Sequence, residues 1–339
     1  MARRILSITV CLTMLATASL FAFEKRMTTG KGKFSVGIEG EYSNTPLKLD
    51  SNPTYYESNT VIDHSEHTVT TTEYHTDYFR ERYTEINDSY PDFTKMYIID
   101  RDWTDIEQRT KLVFLNAAYG IFNFLDGYVK IGVENTRIVY YENVNEFSAY
   151  ANGSWSQYID TDYIGHENYP TSFAWGLGFK GKLYGNEQGL YIGADANVTR
   201  MHSEWEFISG NYINANNLFS GVWYESKDLS THEIIRLQYD AQLIGGYATG
   251  RFFPYAGAGY IHSKIEMEDR YFSENVLYDD GTLDTTEYVV KETKATLRSV
   301  KNISGVVGCE YQFAENASID ISCKYYGGYS INIGIQLGF

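Results

Sequence analysis

Residues 329–339 read Tyr329-Ser330-Ile331-Asn332-Ile333-Gly334-Ile335-Gln336-Leu337-Gly338-Phe339. Every odd position is aromatic or aliphatic, and every even one is Ser, Asn, Gly or Gln. Successive side chains of a strand point to opposite faces. This unbroken period of two therefore describes a strand with one face in an apolar medium and the other against polar groups. A tilted strand needs about 9–11 residues to cross the hydrocarbon of a bilayer, and the run has that length. The last strand of a soluble sandwich alternates too. Two features favour the bilayer: the inward set is small and hydrophilic throughout, and the run ends on an aromatic at the outward parity.

The same pattern recurs upstream. Phe34, Val36, Ile38 and Tyr42 alternate with Ser35, Gly37, Glu39 and Glu41. Val113 to Ile121 leads through Asn123–Gly127 into Val129, Ile131 and Val133, and Phe173 to Leu183 passes through Asn186–Gly189 into Leu190 to Val198. Ile235 to Tyr247 turns at Thr249-Gly250-Arg251 into a run from Phe253 to Met267. Ile303 to Tyr311 turns at Ala314–Ala317 into Ile319 to Tyr325. Asx and Gly at such turns suit short hairpins. The long connections cover about 44–109, 142–171, 208–232 and 270–292 and alternate with the short ones, as extracellular loops alternate with periplasmic turns in a transmembrane barrel. A soluble sandwich has no reason to sort its connections by length onto one end.

The sequence thus predicts an all-β fold over 34–339: a single transmembrane antiparallel up-and-down β-barrel of about ten strands, with long extracellular loops and short periplasmic turns. The final strand resembles that of bacterial outer-membrane β-barrel proteins, which alternates in this way and ends in Phe. The whole is similar to small barrels of the opacity or porin-like type. That resemblance implies residence in the bacterial outer membrane among outer-membrane lipids and lipopolysaccharide. It also implies recognition by the barrel-assembly machinery, with Tyr329, Ile331, Ile333, Ile335, Leu337 and Phe339 as the assembly signal.

Arg3 and Arg4 precede an uncharged stretch from Ile5 to Phe23, with Ala16, Ala18 and Ala22 near its end. This reads as a signal peptide over 1–22, followed by a short lead over 23–33. Acidic residues number 44 against 28 basic ones, a net charge of −16, which argues against a nucleic-acid partner. The 31 Tyr belong to surfaces and membrane interfaces more than to a soluble core. Beyond the leader only Cys309 and Cys323 remain. Their spacing fits neither a zinc site nor a redox pair, so both read as small apolar fillers.

If the apolar parity faces lipid, the other parity lines the bore. It carries Glu39, Glu41, Lys130, Glu134, Lys180, Lys182, Asp195, Arg236, Asp240, Glu310, Asp320 and Lys324. A barrel of about eight strands is just filled by side chains, and an aqueous channel needs about 16. Charges in so narrow a bore must pair. The expectation is a non-enzymatic barrel crossed by ion pairs, with a structural, surface-display or adhesion-type role and acidic, Tyr-rich loops meeting an extracellular ligand. A narrow porin-like channel for ions or small solutes is the alternative.

Enzymatic and metal chemistry has weaker support. His64-Ser65-Glu66-His67 with His75 sits in a Thr-rich stretch without anchoring pattern and predicts a solvated loop rather than a metal site. His262 and Ser263 are neighbours on a strand and point to opposite faces. Asp100-Arg101-Asp102-Trp103-Thr104-Asp105 resembles the Asp-x-Asp-Trp-x-Asp stretch of omptin proteases. By that resemblance Asp100 and Asp102 would match the family's Asp pair, and Asp228 with His232 is the nearest offering for its second half. No cofactor or metal is expected.

Overall fold

The computed structural model describes residues 29–51, 53–64, 68–77, 80–85, 95–150, 156–185, 189–214, 223–279 and 282–339. The expected signal peptide, most of the lead, His67 and the turn at 186–188 lie outside the described residues. The described residues form fifteen strands in chain order. They are β1 (Phe34–Leu49), β2 (Thr54–Asp63), β3 (Thr68–Asp77), β4 (Arg80–Glu85), β5 (Lys95–Phe122), β6 (Leu125–Tyr150), β7 (Ser156–Asn168) and β8 (Ser172–Gly185). The remainder are β9 (Gly189–Asn214), β10 (Trp223–Ala248), β11 (Phe252–Asp279), β12 (Thr282–Ser299), β13 (Ile303–Ala314), β14 (Ala317–Tyr325) and β15 (Tyr329–Gly338).

All pairings are antiparallel, and β1 pairs with β15 on one side and β5 on the other. The hydrogen-bonded path runs β1-β15-β14-β13-β11-β10-β9-β8-β6-β5 and returns to β1, so this part of the sheet has no open edge. At the seam Phe339 N donates to Phe34 O at 2.8 Å. The closure is uneven. Away from the short turns β12 wedges between β11 and the end of β1, β2 and β3 hang on β12, β4 lies on β5, and β7 pairs with β6 alone among the described residues.

The segments expected as long loops are largely strand. The stretch 44–109 holds the end of β1, all of β2, β3 and β4, and the first half of β5, while 142–171 and 270–292 continue β6 into β7 and β11 into β12. Thr and Tyr are the commonest β-favouring residues in these stretches and suit a pleated surface. Pairing there also continues ladders already begun, so the backbone is satisfied without loop structure. At 28 residues each, β5 and β11 are more than twice as long as a bilayer requires.

Outward positions near the turns carry exposed Val113, Leu115, Val129, Ile131, Leu177, Leu243, Val307, Ile321, Ile331 and Ile333. Aromatics bound this belt: Phe34, Phe122, Phe124, Tyr247, Phe252 and Phe339 at the turn end, and Tyr42, Phe173, Tyr239, Tyr260, Tyr325 and Tyr329 at the other. Beyond it the alternation changes phase. Arg109, Lys111, Arg200 and His202 now point outward, while Ile138, Met201, Ile234 and Ile265 point inward and are buried. A bulge after Thr104, where Asp105 holds φ at 49°, lets both Trp103 and Ile106 face inward.

Inward tyrosines fill gaps left by glycine. Tyr128 lies over its cross-strand partner Gly178, where a Cβ would stand 2.4 Å from the ring; Tyr255 over Gly308 and Tyr191 over Gly246 repeat the device. Gly178→Val should therefore push Tyr128 off Asp195 and cost about 1–3 kcal/mol by overpacking. Urea unfolding in micelles checks this, and an unchanged midpoint would show that the ring is free to move.

Candidate functional site

The bore has two layers, and the one near the turns is ionic. Glu39 on β1 accepts from Lys130 Nζ at 2.7 Å and Asn116 Nδ2 at 2.9 Å, and also from Asn332. Lys324 on β14 donates to Asp240 on β10 at 2.5 Å. Arg236 on β10 grips Glu134 on β6 with both arms of its fork, the Nε to Oε1 contact being 2.7 Å. The three ion pairs each join strands that are not adjacent in the sheet, whereas Asn116 and Asn332 reach Glu39 from the neighbouring β5 and β15. Tyr128 OH donates to Asp195 at 2.8 Å and Tyr255 OH to Asp320 at 2.9 Å. Glu41 lies within electrostatic reach of Lys324 and Arg236. Lys180 and Glu310 line a cavity of about 300 Å³ together with Asp195 and Asp320. Lys182 lies two residues nearer the turn, where its main-chain N donates to Phe124 O at 2.9 Å. At the turn end Thr29 N donates to the buried Asp126 carboxylate at 2.6 Å.

The second layer, away from the turns, is hydrocarbon. Phe114, Ile138, Met201, Ile234, Ile265 and Leu297 are each at most 2 % exposed and belong to one cluster with Leu47, Leu112 and Met267. Reading one parity as lipid-facing throughout hides this layer, because the phase changes within the strands. The signal lies in the outward charges of the same strands, since a wall wetted outside is free to be oily inside.

Above this plug stands an aromatic and acidic cluster. Trp103 stacks on Tyr140 with centroids 4.7 Å apart, Tyr169 meets Trp205 edge-on at 5.0 Å, and Trp205 stacks on His232 at 4.7 Å. His232 Nδ1 contacts Asp269 Oδ1 at 2.7 Å, and Tyr169 OH donates to Glu167. The carboxylate at His232 is thus Asp269, its cross-strand neighbour, while Asp228 accepts from Tyr271 OH at 2.9 Å. Asp100 and Asp102 lie in β5 rather than in a loop, their backbones facing Asn145 and Asn143. His64 follows β2 in a turn, with Nε2 3.1 Å from Thr286 Oγ1, and no metal-holding group occurs among the described residues. Ser263 is buried inside while His262 faces outward toward Asn302. Cys309 and Cys323 are free thiols on neighbouring strands, facing Ile321 and Val307 rather than each other.

Burial, then the charge of Asp269, raises the Glu167 carboxyl from 4.5 to about 7; Glu142 adds to the rise, while Tyr169 and His232 oppose it. The folded chain therefore holds a proton that the unfolded chain releases, so this group's contribution declines as pH rises from about 4.5 to about 7. Glu167→Gln should melt at a higher temperature than the parent at about pH 8 and level with it at about pH 4. Equal melting temperatures at both values would contradict this.

No family model matches the chain, and no curated protein matches it. Among solved structures it is similar to the transport unit of the autotransporter AIDA-I from Escherichia coli, at 13% identity and a TM-score of 0.23, covering 97% of this chain and 96% of that one. The beta domain of the Bordetella autotransporter Brka follows at 12% and 0.23, covering 88% and 100%. An outer membrane channel from Pseudomonas putida F1 follows at 10% and 0.23, covering 94% and 100%. At such identities and scores these likenesses decide nothing about activity.

Proposed function

We propose that this chain is an outer-membrane β-barrel of ten transmembrane strands with a closed bore, whose task is performed by the wall standing outside the membrane. One observation carries the reading. The ionic layer of Glu39–Lys130, Asp240–Lys324 and Glu134–Arg236 lies in series with the buried layer of Phe114, Ile138, Met201, Ile234, Ile265 and Leu297. Water and ions crossing the axis would have to break both. The exposed apolar belt with aromatics at both ends supports the membrane placement, because Tyr and Trp settle where lipid meets water.

The outer wall is strand-built, acidic and Tyr-rich, which suits display, adhesion or partner binding rather than transport or catalysis. Export by the 1–22 leader and insertion through the strand ending at Phe339 belong to the same proposal. Planar-bilayer recording of the refolded full chain tests it. The expected trace is flat, and stable unitary steps from the pure protein would replace this reading with the narrow channel.

A further inference from the structure

The chain is acidic, yet three cations gather on its outward face at the limit of the apolar belt. Arg109 on β5 and Arg137 on β6 are direct cross-strand partners. Lys111, two residues nearer the belt, is exposed, and the next outward pair is Val113 and Val133. Tyr42 faces Lys111 from β1, its ring 6.1 Å from that of Tyr329, which places the cations at the aromatic girdle. Like charges directly opposite each other on a sheet repel. Among the described residues one carboxylate answers them: Glu107 Oε2, 3.0 Å from the Arg109 guanidinium and also accepting from Asn44 Nδ2 at 3.3 Å. The Arg137 Nε is buried without a hydrogen-bond partner among the described residues.

A second basic row, Lys48–Arg298–Lys264 across β1, β12 and β11, sharpens the contrast. There Arg298 has Asp50 at 2.9 Å and Lys264 has Glu266 at 2.6 Å, so two of that row's three cations are paired within the chain. Among the described residues the Arg109, Arg137 and Lys111 group has one paired carboxylate for three cations.

We propose that Arg109, Arg137 and Lys111 form a binding site for the phosphorylated headgroup of an outer-leaflet lipid. Planar guanidinium forks match phosphate oxygens, and an anion between two forks turns repulsion into attraction. The apolar belt directly below would carry the acyl chains of the same lipid, which favours a membrane lipid over a soluble anion. This inference rests on the membrane reading above and names a partner for that barrel.

The full chain is reconstituted in phosphatidylcholine nanodiscs with and without lipid A, and lipid retention and thermal midpoint are measured. Lipid A is expected to raise the midpoint of the parent protein, and Arg109→Gln/Arg137→Gln to weaken retention about tenfold or more. Lys31→Gln, at the turn end, should behave as the parent does. In discs without lipid A the double variant should be at least as stable as the parent, because the repulsion is gone; this arm separates lost binding from lost folding. An undiminished lipid A response in the double variant overturns the inference, as does inorganic phosphate alone reproducing the response. If the parent does not insert into discs, the membrane reading fails as well; normal insertion without lipid preference removes this inference only.

Discussion

Arg236→Ala is expected to cost about 3–5 kcal/mol, because it strands the Glu134 carboxylate in the interior. Glu134 has no exposed side-chain surface, and its other hydrogen bond comes from Thr136 Oγ1 at 2.8 Å. A hydroxyl cannot replace a bidentate guanidinium. Replacing both partners with apolar residues, as in Glu134→Leu/Arg236→Met, should recover most of the loss, since no charge is left behind. Urea titration of the refolded barrel, followed by the heat-dependent shift in gel mobility, measures both. If Arg236→Ala alone lost under about 1 kcal/mol, the pair would be wet and the bore open at this level.

Ile265→Ala should cost about 2–5 kcal/mol and still give no conductance. Ile265 is fully buried in the hydrocarbon layer, so truncation leaves a void lined by its neighbours, Leu297 and Ile234 among them. An apolar void of that size stays dry. The ionic layer below is untouched, so the two closures act in series and opening one leaves the other shut. Combining Ile265→Ala with Glu134→Ala/Arg236→Ala is the change expected to produce leakage, provided enough stability remains for insertion. Bilayer recording of the single and combined variants distinguishes the cases. Steady steps from Ile265→Ala alone would mean that the ion pairs do not close the bore.

Much of this was legible in the residues. The alternation of 329–339 and its echoes at 113–121, 129–133 and 190–198 announce strands, and those strands are present as β15, β5, β6 and β9. A period of two is a local property that side-chain order alone carries. The charged residues of the opposite parity could be named from the same order. Their partners could not, because Arg236 and Glu134 stand 102 positions apart and meet only when strands non-adjacent in the sheet face each other across the interior.

The sequence by itself determined the strands that carry the belt, since each depends on which residue follows which. The tertiary structure decided three things. It made the segments read as loops into strands, because ladders begun in the belt had partners along which to continue. It gave His232 to Asp269 rather than Asp228, because a strand's nearest neighbours are set by cross-strand register and not by chain distance. It also placed a hydrocarbon plug above an ionic lattice: beyond the belt the outer face is charged, and the apolar side chains that a strand can no longer turn outward collect on its inner face.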